Sequence, residues 1–113
     1  YVGTHDNDTA LGWMGTAPAE DVAYAREYLH ETEDGAAAQA MLTAIWNSRA
    51  NLTIVLAQDL LGLGSESRMN KPSTVGSNWC WRAVEGCFTD ELAAKVRGEM
   101  ERFGRLDRPD KKV

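Results

Sequence analysis

His5-Asp6-Asn7-Asp8 is the densest run of chemistry-bearing side chains in the sequence, with one imidazole and two carboxylates in four residues. Three chemistries compete for it. As a metal site it is poor, because metal ligands converge from separate elements and no second His, Cys, Asp or Glu set has ligand spacing. As a turn it is good, since Asn7 and Asp8 are of the type that closes Asx turns, and periodicity alone favours this reading. As a catalytic site it needs one carboxylate at the end of a strand beside developing positive charge. Glycoside chemistry asks this of carboxylates around an oxocarbenium-like transition state.

Other motifs carry less. Gly62-Leu63-Gly64 follows an apolar run, but the third glycine of a dinucleotide loop would fall at Ser67 and no good helix pattern follows. There is no G-x-S-x-G elbow, phosphate-binding loop or C-x-x-C pair. His30 ends a helical pattern and reads as a favourable C-terminal charge or a solvated side chain. Trp46 lies mid-helix and reads as core. Trp13, Trp79 and Trp81 fall in loops near strand ends, where an indole can stack on a sugar face; packing of the loop onto the body of the protein is the simpler reading for each.

Two strands and their crossover are expected to position the polar run. Residues 1–4 read as the end of a strand. Residues 52–57, continuous in apolar and β-branched side chains, read as a strand covered on both faces, which is the pattern of a parallel sheet. Between them the pattern predicts two helices. Pro18 suits a first turn, Glu20 and Asp21 favour its dipole, and Val22, Ala25 and Leu29 form its apolar stripe. The second spans about 36–49, with Asp34 as N-cap and Met41, Ala44, Ile45 and Ser48 along one side, Leu42 and Trp46 beside them. Gly12, Trp13 and Gly15 suggest a loop over 10–16. Residues 60–88 lack periodicity and hold Gly62, Gly64, Gly76, Gly86 and Pro72. Thr89 is expected to cap a last helix, with Leu92, Val96, Met100 and Phe103 on one face and Gly104 as its stop. Both strands deliver polar residues at their carboxyl ends, His5-Asp6 and Gln58-Asp59, where α/β folds build their sites. Two strands cannot make such a sheet alone, so the remainder must come from upstream sequence or another chain.

Composition bounds the function. The 113 residues are one domain at most, and 43% apolar with 26% charged residues is an ordinary globular balance. A net charge of −5 argues against nucleic acid as a partner. No apolar run approaches a membrane span, so no membrane partner is expected. Cys80 and Cys87 read as free, buried thiols of a cytoplasmic protein. The chain opens on Tyr1 in an apolar stretch, which leads to the expectation of a longer polypeptide.

Taken together these segments resemble the 4-alpha-glucanotransferase family, also called amylomaltase or disproportionating enzyme. Tyr1-Val2-Gly3-Thr4-His5-Asp6-Asn7-Asp8-Thr9 followed by Leu11-Gly12-Trp13 is similar to a late segment of its catalytic barrel. More specific is Gln58-Asp59-Leu60-Leu61-Gly62-Leu63-Gly64-Ser65-Glu66-Ser67-Arg68-Met69-Asn70, continuing as Lys71-Pro72-Ser73-Thr74-Val75-Gly76-Ser77-Asn78-Trp79-Cys80-Trp81-Arg82. Order and spacing match over about residues 1–103.

The resemblance implies an α/β fold: the C-terminal part of a (β/α)8 barrel over residues 1–104, mainly helices and loops with about two short parallel strands, then a polar tail over 105–113. It implies a retaining transglycosylase that moves α-1,4-glucan segments between glucan and maltooligosaccharide acceptors without cofactor or metal. Of the family's three catalytic carboxyl groups, the one that stabilises the distorted transition state corresponds to Asp6. His5 is implied as a hydrogen-bonding partner of the sugar at the cleavage point, and Asn70 and Pro72 as lining of the glucan groove. Asn78, Trp79, Trp81 and Arg82 are assigned to loop architecture. Lys71 replaces the family's usual Thr, and Ser73 and Ser77 its usual Gly, which bears on loop geometry. The nucleophile and acid/base lie upstream in the family, so the chain by itself is expected to be inactive. Two alternatives stand beside this reading: a non-catalytic glucan-binding or inactive barrel-derived module, and an unrelated small α/β interaction domain whose polar clusters are turns.

Overall fold

Thr9 starts the first helix, its hydroxyl accepting the Gly12 amide at 3.0 Å. In the computed structural model, which describes residues 1–106, the elements run α1 (Ala10–Thr16), α2 (Ala19–Leu29), α3 (Asp34–Trp46), α4 (Ala57–Leu60), a 3₁₀ turn (Ser65–Ser67) and α5 (Asp90–Arg102). The helix at 10–16 stands where the two glycines suggested a loop. Gly12 is there for close approach: a Cβ at this position would collide with the Asp8 carboxylate and the Ser65 hydroxyl.

No strand forms among the described residues, which corrects the expected strands at 1–4 and 52–57. A strand exists only when a neighbour completes its ladder, and none of the described segments pairs with either stretch. Leu52 and Ile54 are accordingly 75% and 59% exposed. Ala57 does not end a strand but begins α4, with the Leu61 amide bonded to its carbonyl at 2.9 Å.

The helices between follow local rules more closely. Pro18 is the residue before α2, and Glu20 and Asp21 occupy its first turn. Val22 is buried, with Ala25 and Leu29 half-buried along the expected stripe. His30 closes α2 in a left-handed conformation at φ 56°, its amide donating to the Arg26 and Glu27 carbonyls.

Helix α3 starts two residues earlier than expected and ends three earlier. Glu33 takes the cap position, and Asp34, inside the first turn, accepts Arg26 at 2.5 Å, which joins α2 to the start of α3. At the other end the Ser48 hydroxyl takes the Ile45 carbonyl at 2.6 Å. Arg105 then gathers the loosened end: its guanidinium donates to the carbonyls of Trp46 at 2.7 Å, Ala50 at 3.1 Å, Ser48 at 3.2 Å and Ile45 at 3.3 Å. A cation on helix C-terminal carbonyls is favourable. Arg105, placed by the sequence at the start of a polar tail, thus belongs to the folded unit; residues 107–113 of that tail lie outside the described residues.

The buried side of α3 is Ala38, Leu42 and Trp46 with Ala37; of the expected row, Ala44 and Ser48 are exposed and Met41 and Ile45 half-buried. Alanine here is the docking surface: Ala37 is 0% exposed and packs with Met14 of α1 and Val22 of α2, while Trp13, Ala17, Leu29 and Met41 close the cluster. Helix α5 is capped by Thr89, whose hydroxyl accepts the Leu92 amide at 3.1 Å, and lays the half-buried Leu92 and Val96 toward Thr43 and Trp46 of α3. Gly104 follows at φ 69°, in the left-handed region a helix stop uses. Among the described residues no helix is long and apolar enough to cross a membrane.

Candidate functional site

The four polar residues at 5–8 divide their work. Asn7 closes the turn: its side-chain oxygen accepts the Thr4 amide at 2.8 Å and its own amide donates to the Thr4 carbonyl at 3.0 Å. Asp8 braces the start of α1, its carboxylate accepting the Thr9 amide at 2.8 Å and the Ser65 hydroxyl at 2.7 Å. The turn reading therefore holds for Asn7 and Asp8. His5 and Asp6 remain half-exposed, with side chains 55% and 48% accessible.

A second segment, far away in sequence, grips these two. The Asn70 side-chain amide donates to Asp6 Oδ1 at 2.8 Å, and the Asn70 backbone amide donates to the His5 carbonyl at 3.1 Å. Arg68 completes the clasp: one terminal nitrogen donates to the Asp6 carbonyl at 2.7 Å while Nε donates to the Asn70 carbonyl at 2.9 Å. One guanidinium thus fixes both segments at once, using the fork geometry that distinguishes Arg from Lys. His5 Nε2 lies 3.3 Å from Asp6 Oδ1, so the imidazole and the carboxylate share an edge. Beside them the Trp79 ring leans on His5, with centroids 5.1 Å apart and planes at 41°.

Of the residues singled out by sequence, His5, Asp6 and Asn70 come together. Pro72 does not join them: it is exposed in the loop beyond Asn70, and none of the clasp's hydrogen bonds involves it. That loop is held by Asn78, which accepts the Lys71 amide at 2.9 Å and donates to the Thr74 hydroxyl at 2.9 Å. Ser73 adopts φ 64°, so the serine that replaces the usual glycine does sit in the left-handed region, at a cost of about 1 kcal/mol. Residue-by-residue reasoning passes over Arg68, and Trp79, weighed there as a sugar-stacking indole, is assigned to loop architecture. Their signal lay within the 58–82 block, but nothing local in the sequence marks them as partners of residues 5–6.

Beneath the clasp a buried acid supports α1. Asp59 is 4% exposed and accepts the Ala10 amide at 2.8 Å. Burial pushes its carboxyl above the ordinary range and the nearby Asp8 charge adds to this, while the Ala10 hydrogen bond opposes them. Gln39 donates to the Asp59 carbonyl at 2.9 Å and the buried Gln58 donates to the Ser67 carbonyl at 3.3 Å, so this polar layer is tied to α3 and to the 3₁₀ turn. Among the described residues no group of three or more His, Cys, Asp or Glu side chains is placed to hold a metal ion. Cys80 and Cys87 are free thiols; Cys80 is exposed and Cys87 half-buried, so neither is the buried thiol expected.

Chemically the cluster offers an acceptor with a fixed direction. One Asp6 oxygen is engaged by Asn70, and a carboxylate keeps further lone pairs for hydroxyl donors or for developing positive charge.

The family model for 4-alpha-glucanotransferase matches residues 1–86. A 4-alpha-glucanotransferase of Clostridium butyricum is 44% identical over 108 residues, covering 95% of this chain and 22% of that protein. The chloroplastic/amyloplastic 4-alpha-glucanotransferase of Solanum tuberosum is 40% identical over 109 residues, covering 94% of this chain and 19% of its own length. Among solved structures, the amylomaltase from Streptococcus agalactiae in complex with acarbose superposes with a TM-score of 0.84 at 32% identity, over 93% of this chain and 21% of that one. The chain spans about a fifth of the length of these relatives.

Proposed function

The chain belongs to the 4-alpha-glucanotransferase family, and on that premise we propose that it forms the C-terminal part of a (β/α)8 catalytic barrel transferring α-1,4-glucan segments between glucan and maltooligosaccharide acceptors. The observation that carries this reading is the Asp6 carboxylate, half-exposed and aimed by the Asn70 amide at 2.8 Å. A carboxylate so oriented has little reorganisation left to make when positive charge develops on a sugar ring. Asp6 is the transition-state stabiliser in this proposal. His5 and Asn70 hold sugar hydroxyls, and Pro72 shapes the groove wall beyond them. The nucleophile and the acid/base come from barrel strands outside these residues, and the mechanism is retaining, with a covalent glycosyl intermediate. No cofactor takes part.

The exposed Leu52 and Ile54 also support a chain that is covered by further polypeptide. With the nucleophile and the acid/base outside these residues, the chain in isolation is expected to turn over no glucan.

The test uses the full-length protein. Incubated with maltotriose, it should yield glucose together with longer oligosaccharides, and Asp6→Asn should lower turnover by at least about a hundredfold without lowering the thermal midpoint. Near-normal turnover of the variant removes Asp6 from the mechanism. Binding of maltooligosaccharide by the wild type without any transfer assigns the chain to a non-catalytic glucan-binding module instead.

A further inference from the structure

We propose that Trp79 is a sugar-binding platform, taking on its outer indole face the glucose unit next to the one that Asp6 and His5 hold. This rests on the glucan reading of the Asp6 site and extends it to a residue that sequence reasoning gave to loop architecture.

Three observations converge on this side chain. The first is exposure. Trp46 is buried and Trp13 and Trp81 are half-buried, but Trp79 is 60% exposed. A single exposed aromatic needs no explanation by itself. The second is backbone conformation. Trp79 stands at φ 63°, a left-handed geometry that a bulky side chain adopts only when its surroundings impose it. The imposing contact is short: the Trp79 amide donates to the Met69 carbonyl at 2.7 Å, between Arg68 and Asn70 of the clasp. The third is where this places the ring. It lies against His5, with ring centroids 5.1 Å apart and planes tilted by 41°, and His5 in turn touches Asp6.

The strained residue is therefore anchored to the strip of backbone that orients Asp6, and its ring continues the surface of the site. A tryptophan serving only to pack would turn its ring toward the body of the protein, as Trp13 of α1 does against Met14, Val22 and Ala37. Trp79 meets an imidazole in a tilted contact and still leaves 60% of its surface exposed. A flat, apolar, weakly hydrated face beside a hydroxyl-binding carboxylate suits the C–H face of a pyranose ring, whose hydroxyls point outward in its own plane.

The experiment compares Trp79→Gly and Trp79→Phe with wild type in the full-length protein. Trp79→Gly removes the ring and suits the positive φ, so the backbone turn is kept. Affinity for maltoheptaose is read as KM where the protein turns over and as Kd by calorimetry where it does not. The expected result is an affinity loss on the order of tenfold for Trp79→Gly. With it should come a kcat and pH profile close to wild type, and recovery of most of the affinity in Trp79→Phe. Unchanged affinity in Trp79→Gly overturns the proposal. So does a fall in kcat or a displaced pH profile at constant affinity, which would make Trp79 a brace for His5. So does a lowered thermal midpoint in both variants with affinity intact, which would mean that other polypeptide covers the indole. A wild type that binds maltoheptaose without transferring it defeats the transferase reading, while the affinity ratio still decides the role of Trp79. A wild type that does not bind maltoheptaose defeats both.

Discussion

Two polar assemblies join the start of the chain to residues 58–70, and they are built to opposite specifications. In the lower one, Asp59 is almost completely buried on the Ala10 amide, and Asp8 spends its carboxylate on Thr9 and Ser65. Gly12 lets the two segments close. In the upper one, Asp6 is gripped by Asn70, its backbone is tied down by Arg68, and about half of its side chain faces outward. The lower assembly holds structure by engaging its carboxylates on protein partners, Asp59 in a buried bond and Asp8 nearer the surface. The upper holds a direction while leaving acceptor capacity for a ligand. Asp6, Asp8 and Asp59 thus differ in exposure and in hydrogen-bond partners, not in residue type.

The sharpest way to break this contrast is to neutralise both upper and lower acids and compare. Asp6→Asn is expected to cost at least about a hundredfold in turnover, whereas Asp8→Asn, measured in the same assay, should change stability before turnover. Equal activity losses at constant stability would erase the division between the two assemblies.

Next in size is Arg68. Arg68→Met removes both donors that hold the Asp6 and Asn70 carbonyls, so the carboxylate loses its fixed aim. Turnover should fall about tenfold to a hundredfold, with KM changing less than kcat. Arg68→Lys keeps the charge but not the fork, and should recover only part. Full recovery with Lys would mean that charge, not geometry, is what Arg68 contributes.

The lower assembly is tested through its glycines. Gly12→Ala should destabilise the protein by about 1–3 kcal/mol, because the added methyl meets a carboxylate and a hydroxyl already bonded to each other. Gly15→Ala, in the same helix with open space around it, should instead be neutral or stabilising by up to about 1 kcal/mol. Thermal or denaturant midpoints that move in the same direction for the two variants would contradict the close approach at Gly12.

The smallest effect belongs to Asp59, and its sign follows from burial. Because the folded carboxyl is raised above its ordinary value of 3.8, the folded state binds the proton more tightly than the unfolded. Its favourable contribution is complete below that value and is lost as pH rises through the higher folded pKa. Asp59→Asn keeps an oxygen for the Ala10 amide and removes the ionisation. The variant should therefore gain protection of the α1 amides, read by hydrogen exchange, as pH rises toward neutrality, with the gap closing in acid. A gap that widens in acid would reverse the assignment of burial as the dominant influence.

Which features were legible in the residues follows from how far apart the interacting groups lie. Thr89 as cap of α5, Gly104 after it, Glu20 and Asp21 in the first turn of α2, and the Val22 stripe could all be read, because helix hydrogen bonds and caps connect residues within four of one another. The sequence by itself also determined the family resemblance, through the long block at 58–82, and with it the choice of His5, Asp6 and Asn70. Only the tertiary structure decided that Arg68 and Trp79 belong beside them, since their contacts with His5 and Asp6 join segments with no shared local pattern. It also decided that residues 52–56 form no strand here, because a ladder needs a second segment and apolar content supplies none. Helix α1 shows the boundary between the two: Thr9 caps it within three residues, but the glycine at position 12 reads as a loop former until the Asp8 and Ser65 side chains are seen closing against its bare Cα.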